Sequence, residues 1–369
     1  MKIVHIISNL GNGGAERLVV DLSEEQVRLG HNVTIVSFRD VNLDLYPELS
    51  EAGVALKTFS KKKGLDLSLS YCIYKFLGQE QPKVVNCHLP SVFLYMIFSL
   101  CFLKKVKFFY TIHNNPQQEE SRKLIRNIRR FFMKRGRLVP ITISDQIRKS
   151  FQTLYQLRDV PMVINGRKPL EKTQDFERVV AEIAVYKKNA ETKIFIAVGR
   201  ITEQKNYLLL LNVFSELEKQ GKNVVLLILG SDSGSGLQEK YNHVKPDNTF
   251  FLGPKKNVAD YLFCSDFFCM SSVYEGLPIS MIEAMSVGLP VISTNVGGVQ
   301  DIVKSGENGI LVNSLEVGDY LDGIETFLLM TETELGKMRR NNMNEFEEKY
   351  NIKNTATEYI RVYQKYISR

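Results

Sequence analysis

The sequence predicts an α/β protein built from two Rossmann-like domains. Three observations carry that expectation. Short β-branched runs alternate with helical stretches along the chain, several of these runs open directly into glycine-containing loops, and 369 residues suffice for two domains with separate cores. Lys2–Ser8 reads as a buried strand, followed by Asn9-Leu10-Gly11-Asn12-Gly13-Gly14-Ala15-Glu16, a helix from about Ala15 to Leu29 stopped by Gly30, and a second strand at His31–Phe38. That is a β-loop-α-β unit. Its glycines let backbone approach a ligand closely, and the helix N-terminus favours an anion. Any doubly wound domain carries a glycine turn here, however, and Glu16 stands where a dinucleotide fingerprint wants another glycine.

Val84–Cys87 is a short strand ending at His88, and Leu89–Leu103 is an apolar run below the ~20 residues needed to cross a bilayer. It reads as a buried helix. Val106–Ile112 is a strand that delivers His113 and Asn114 to its C-terminal edge, where open parallel sheets bind ligands. Leu138–Ile143 is another strand, and Ser144-Asp145 caps a helix over Gln146–Tyr155. Val160–Ile164 runs into Asn165-Gly166-Arg167-Lys168-Pro169. From Leu170 to Thr192 the chain is polar, helical and without a clear core face, so the domain boundary falls there. The expected layout is 1–170, 190–350, and a terminal helix at 351–369 crossing back to the first domain.

The second domain opens with the strand Lys193–Val198 and then Gly199-Arg200-Ile201-Thr202-Glu203-Gln204-Lys205-Asn206. Two cations five residues apart on such a loop suit a diphosphate. Asn223–Leu229 and Thr249–Leu252 are further strands, with Asn257-Val258 opening the next helix. The most informative stretch is Ser271–Thr294. It reads as strand end, tight loop, helix and buried strand, with Pro278 at the first helical position and Gly288 as a left-handed stop. Free N–H groups at Gly276, Leu277 and Ile279 would form an anion site. Glu275 and Glu283 flank it, suited to accept hydrogen bonds from hydroxyls. An isolated pair of glutamates reads more readily as a helix-dipole acid and a solvated helix residue.

The formal net charge of +7 is local. Residues 104–137 hold eleven Lys and Arg against Glu119 and Glu120, and the remainder is slightly acidic. In Arg122–Arg135, Leu124, Ile125, Ile128, Phe131 and Phe132 share one helical face, with Arg122, Lys123, Arg126, Arg129, Arg130 and Lys134 around them. Basic amphipathic helices of this kind lie on anionic membrane surfaces. The alternative is a Rossmann helix packed on its sheet with solvated charges. No stacking module or recognition motif points to nucleic acid. Five cysteines without C-x-x-C fit a reducing compartment. With no signal peptide or spanning segment read at the N-terminus, the expected location is cytoplasmic, or peripheral on the inner face of the cell membrane.

The Ser271–Thr294 stretch resembles the E-x7-E segment of the retaining GT-B glycosyltransferases, family 4 (glycogen-synthase-like). The G-G-A-E loop, the T-x-H strand end, the G-R-x-x-x-x-K-N loop and Asn295-Val296-Gly297-Gly298 resemble the same family. The resemblance implies a GT-B fold, two Rossmann-like domains facing across a cleft. It implies a hexosyltransferase-type enzyme moving a sugar from a nucleotide-sugar, UDP favoured, to an acceptor hydroxyl with retention. Neither metal nor cofactor is implied. His113, Glu275, Arg200 and Lys205 would be catalytic, and Gly13, Gly14, Asn257, Val258, Gly276, Leu277 and Glu283 would bind the donor. Glu16 and His88 would lie on the acceptor side, and the site would complete on domain closure. The implied partners are the donor, a lipid-linked or oligosaccharide acceptor, and an anionic membrane surface, in bacterial surface polysaccharide or glycolipid assembly. Arg167 departs from the family's N-G-V-D turn, so any role of that acid is missing. The absence of D-x-D removes the metal-bridged GT-A arrangement, and no P-loop, H-E-x-x-H or G-x-S-x-G occurs. Two alternatives stay open: a non-hydrolysing UDP-sugar epimerase, and a nucleotide-sugar-binding subunit without chemistry.

Overall fold

The computed structural model describes all residues except Asn12, 42–45, Pro47, Leu65, Glu120, Ser121, Ser233 and Arg369, and not the side chains of Gln118 and Glu119. Asn12 of the glycine loop, Ser233 of the loop after Asn223–Leu229, and Glu119 and Glu120 of the basic segment therefore lie wholly or in their side chains outside the description. The chain forms two compact units, residues 1–168 with 349–369, and residues 169–348.

The first unit holds β1 (Lys2–Ile7), β2 (Asn32–Ser37), β3 (Ala55–Thr58), β4 (Val84–His88), β5 (Lys107–Ile112) and β6 (Leu138–Thr142) in the order β3-β2-β1-β4-β5-β6. The second holds β7 (Lys193–Val198), β8 (Val224–Leu229), β9 (Thr249–Gly253), β10 (Phe267–Met270), β11 (Val291–Thr294) and β12 (Gly309–Val312) in the order β12-β11-β10-β7-β8-β9. All paired strands in both sheets run parallel. Each order reads 3-2-1-4-5-6 in its own unit, the doubly wound arrangement, with the reversal between β1 and β4 and again between β7 and β10. Helices cover both sheet faces, which is why the central strands are apolar almost throughout rather than alternating. β3 and the helix Leu67–Glu80, capped by Asp66, lie in a stretch where the sequence offered no reading.

The last helix, Ile352–Ile367, buries Ile352, Ala356, Tyr359, Ile360 and Tyr363 against Ile3, Leu22, Phe109 and Ile141 of the first unit. The chain enters it beside Arg167, whose N–H donates to the Tyr350 carbonyl at 2.8 Å and whose carbonyl accepts from Ile352 N–H at 2.9 Å. The Arg167 guanidinium pairs with Asp21 of the helix Gly14–Arg28, both side chains being buried, and Lys168 pairs with Glu24 one turn on. The residue that departs from the family turn is thus a structural clamp.

Several expectations need correction. Segment 170–192 has a core face after all: the helix Phe176–Ala184 buries Val179 and Ile183, and Glu182 accepts from Tyr261 Oη at 2.7 Å and Lys255 Nζ at 3.1 Å. The apolar run forms the helix Pro90–Phe102, but it is not wholly buried. Phe98 and Phe102 are exposed beside Tyr74, with ring centroids 5.0 and 6.2 Å from it.

In the basic helix Lys123–Lys134, Arg129 does not face outward. It is 1 % exposed, its guanidinium 4.5 Å from the Tyr110 ring centroid and 4.9 Å from that of Phe93, and it donates to Tyr155 Oη at 3.1 Å. Aromatic faces accommodate a planar guanidinium where they would not an ammonium, so a charge that reads as solvated becomes part of the core. It is removed from the membrane-contact set. The shared apolar face is divided: Ile125 and Phe132 are buried, and Leu124 and Phe131 are exposed.

Candidate active site

In the second unit the candidate residues gather at the C-terminal edge of the sheet, on either side of the β7/β10 reversal. β7 leads through Gly199 and Arg200 to a short 3-10 turn, Glu203–Lys205, that ends on Asn206 at φ +48 before the helix Tyr207–Lys219. β10 leads into Ser271–Leu277. The two loops are laced together: Val273 N–H donates to the Gln204 carbonyl at 2.8 Å, Gln204 Nε2 to the Tyr274 carbonyl at 2.9 Å, and Ser271 Oγ to the Lys205 carbonyl at 2.9 Å. This lacing brings Lys205 Nζ to 2.6 Å from Glu275 Oε1, which also accepts from Ser272 Oγ at 2.7 Å. The pair is largely buried, with side-chain exposures of 17 % for Lys205 and 8 % for Glu275. Arg200, on the same loop, is exposed.

The helix after the loop runs Ile279–Ser286. Pro278 therefore stands at its N-cap, in extended conformation at ψ 112, and Ile279 takes the first helical place expected of Pro278. Gly288 stops the helix at φ +78, as expected. Gly276 and Leu277 are buried in the loop and Glu283 is half-buried on the helix. Asn257 and Val258 begin the helix Val258–Phe263. The Asn257 amide is committed to Asp260, donating to Oδ2 at 2.9 Å. Burial works to raise the Asp260 pKa, but hydrogen bonds from Thr173 and Asn257 outweigh it and hold the carboxyl below its usual value.

One contributor was named in the sequence only as part of a resembling loop, without a role. Gly297 has φ +56, and a methyl group there would collide with the Glu275 carbonyl and backbone. Gly298 N–H donates to the Gly276 carbonyl at 2.9 Å. This Gly-Gly pair shapes the loop that carries Glu275. The visible signal was the Gly297-Gly298 dipeptide after a buried strand.

In the first unit, Gly13 is the N-cap and Gly14 the first residue of the helix Gly14–Arg28, with the Glu16 carboxylate folded back over Gly13. His113 follows β5 and is buried, as is His88 at the end of β4. His88 is fully enclosed, with Nε2 3.0 Å from His5 Nδ1 and Nδ1 3.1 Å from His113 Nε2. Both its ring nitrogens are thus engaged within the protein. Burial lowers the pKa of His5 and of His113 to about 4, with the Gln26 hydrogen bond a smaller opposing effect at His5; burial and the neighbouring His5 and His113 hold His88 well below its usual value. All three rings are neutral at pH 7.

Loops at the reversal points of doubly wound sheets serve many functions, and the class of this chain comes from comparison with known proteins. Residues 12–166 match the family described as "Glycosyltransferase Family 4", and residues 180–348 match "Glycosyl transferases group 1". The chain is a GT-B-fold glycosyltransferase related to these families. It is similar to an uncharacterised glycosyltransferase of Methanocaldococcus jannaschii, 27 % identical over 69 % of this chain and 64 % of that protein, so the match spans less than two thirds of that relative's length. It is 22 % identical to an uncharacterised glycosyltransferase of Haemophilus influenzae over 97 % of this chain and 98 % of the other. Among solved structures it resembles Anabaena HepE, determined in complex with UDP and glucose, with TM-score 0.82, 15 % identity, and 99 % and 100 % of the two chains covered.

Proposed function

We propose that the protein transfers a sugar from a UDP-sugar to an acceptor hydroxyl, with retention at the anomeric carbon and without a metal ion. The observation that carries the reading is the enclosed Lys205–Glu275 pair at the β7/β10 reversal, beside the N-terminus of Ile279–Ser286. In the transition state the bond from anomeric carbon to diphosphate lengthens and negative charge grows on the leaving phosphate. Preorganised cations and N–H groups act most strongly on such charge. Lys205, Arg200 and the N–H groups near Gly276 and Leu277 take that role. Glu275, acceptor-only when ionised, holds donor sugar hydroxyls, and Glu283 holds the ribose diol. His113 is assigned to the donor sugar, Gly13 and Gly14 to the donor phosphates, Asn257 and Val258 to the base, and Glu16 to the acceptor side. UDP is favoured because the similar Anabaena protein holds it.

Calorimetric titration of UDP, GDP and ADP tests the donor half. UDP is expected to bind, and Glu283→Ala to weaken it about 10- to 100-fold, the scale of losing charge-assisted hydrogen bonds. Binding of none of the three nucleotides, or unchanged binding in the variant, overturns the assignment. Release of UDP only when an acceptor is present separates transfer from epimerisation.

The acceptor is proposed to be a lipid-linked or growing surface oligosaccharide, met at an anionic membrane surface. Among the described residues no helix is long and apolar enough to cross a membrane. The exposed side of Lys123–Lys134 mixes Leu124 and Phe131 with Lys123, Lys134 and Arg135, the last with its guanidinium 4.1 Å from the Phe131 ring centroid. Apolar side chains set among cations suit a headgroup layer better than bulk water. Reversing Lys123, Lys134 and Arg135 to Glu is expected to abolish salt-sensitive binding to phosphatidylglycerol vesicles, at ~1 kcal/mol per cation removed. Unchanged vesicle binding would end this part of the reading.

A further inference from the structure

The first unit carries a cationic pocket that the assigned site does not use. The loops after β2 and β3 leave the C-terminal edge of the sheet, the edge that also carries Gly13, Gly14 and His113. They enclose a cavity of about 440 Å³ whose lining includes Phe38, Arg39, Asp40, Lys61, Lys62 and Lys63. That volume lies within the roughly 300–1,000 Å³ of small-molecule sites. Four cations thus line it against one carboxylate. The two loops are tied together, Phe59 N–H donating to the Ser37 carbonyl at 2.9 Å and Lys61 N–H to the Phe38 carbonyl at 3.0 Å. Lys61 Nζ turns back onto the carbonyls of Lys62 and Gly64, at 3.0 and 2.7 Å, and braces the turn. Arg39, Lys62 and Lys63 are exposed and make no ion pair among the described residues. Asp66, the other acid on this loop, is committed to Lys62 N–H at 3.0 Å, Ser68 Oγ at 2.5 Å and Leu69 N–H at 3.3 Å. The Lys62 charge reaches it only through space. Cations gathered in a cleft without a matching counter-charge focus a field that draws in an anion. A guanidinium fork and mobile ammonium groups suit the several oxygens of a phosphate.

An apolar stripe begins beside the pocket. Leu67, Tyr71 and Tyr74 recur at helical spacing on Leu67–Glu80, directly after the Asp66 cap. Tyr71 and Tyr74 have ring centroids 6.4 Å apart, and Tyr74 continues the stripe onto Phe98 and Phe102, themselves 4.7 Å apart. Leu67 is 73 % exposed, and Tyr71 and Phe102 are each 59 % exposed. Contiguous exposed rings of this kind mark a surface that meets an apolar partner. The two features share a wall. Tyr95, on the helix Pro90–Phe102, has its ring centroid 5.8 Å from Lys61 Nζ and 5.3 Å from that of Phe38.

We infer that the pocket and the stripe together bind a lipid phosphate or diphosphate. Its phosphoryl oxygens meet Arg39, Lys62 and Lys63, and its hydrocarbon lies along Tyr71, Tyr74, Phe98 and Phe102. A water-soluble phosphate ester would use the pocket and leave the rings bare. A plain bilayer surface would use the rings and need no enclosed cationic pocket at the ligand-binding edge of a parallel sheet. That this lipid is the sugar acceptor rests on the transferase reading; its binding does not.

Calorimetric titration of the full-length protein with farnesyl diphosphate, farnesol and glucose 1-phosphate tests the proposal without any turnover. Farnesyl diphosphate is expected to bind at least about 10-fold more tightly than either of the others. Lys62→Ala combined with Lys63→Ala should weaken it by about 10-fold or more, the scale of losing charge-assisted hydrogen bonds. Tyr71→Ser combined with Phe102→Ser should weaken it by about 10-fold while leaving glucose 1-phosphate unchanged. All four side chains are exposed or rest on exposed helix faces, so both variants are expected to unfold at the wild-type temperature. Wild-type protein that prefers farnesyl diphosphate to neither of the other probes overturns the proposal whatever the variants do. Farnesyl diphosphate binding unchanged in the lysine variant overturns it too, by placing the anion elsewhere. An effect of the lysine variant with none from the ring variant assigns the pocket to a soluble phosphate ester and sinks the lipid. Loss of phosphatidylglycerol vesicle binding in both variants, with farnesyl diphosphate unaffected, makes the face a plain membrane contact and likewise overturns it. Absent UDP binding with farnesyl diphosphate binding intact would instead count against the assigned reaction alone.

Discussion

Glu275→Ala is expected to lower kcat by on the order of 10²-fold or more, and Lys205→Ala to do the same, the scale of removing one transition-state partner. The reason lies in what each does for the other. Without a donor, Glu275 Oε1 holds Lys205 at 2.6 Å and Ser272 at 2.7 Å, so the ammonium is fixed before any phosphate arrives. In the proposed reaction the donor would bring its own negative charge to Lys205 and its hydroxyls to Glu275. Removing the carboxylate frees a long flexible cation, and removing the cation leaves a carboxylate facing the phosphates. The double variant should therefore lose little more than either single one, because the two act as a unit. Steady-state kinetics of the three variants checks this, and near-normal turnover in both single variants would sink the assignment.

Arg167→Ala is expected to destabilise the protein by roughly 3–5 kcal/mol, the range found when one partner of a buried ion pair is deleted. Asp21 is fully buried and Arg167 nearly so. Arg17, whose Nε is 3.4 Å from Asp21 and a third exposed, also serves Glu48 at 2.7 Å and compensates only in part, which places the effect at the low end. Urea or thermal unfolding reads the loss. At about 2–4 °C per kcal/mol for a unit of this size, the transition should fall by around 10 °C. Arg167→Met combined with Asp21→Leu should recover much of it, since replacing both ions removes the unpaired charge. A wild-type transition in Arg167→Ala would show that the clamp contributes nothing.

The sheet strands, their glycine loops and the Glu275–Glu283 stretch were legible because they rest on local signals: β-branched runs, breakers, and a motif of fixed spacing. Features that depend on a distant partner were not. Nothing near Arg129 announces that Phe93, Tyr110 and Tyr155 will enclose it, and a helical wheel places an arginine outside by default. Arg167 read as a lost acid, because Asp21 is remote in sequence. Pro278 was off by one position because extended and first-turn prolines share the same φ, and ψ separates them. The pairing of Lys205 with Glu275 needed the two loops side by side, although both residues had been singled out. His5 and Gln26 gave no sign at all, one lying inside an apolar strand and the other on a mixed helix. The edge strand β3 is short and only half-buried, which leaves it little pattern to read.

The placement of the final helix bears on how the chain is born. Tyr359 and Tyr363 complete a core that also contains Ile3, Leu18 and Phe109. A ribosome delivers the first 168 residues long before that helix emerges, so during synthesis the early sheet waits with one apolar face uncovered. Residues 169–348 are contiguous and can close their own core as soon as they leave the tunnel. The later-made unit is thus free to finish first.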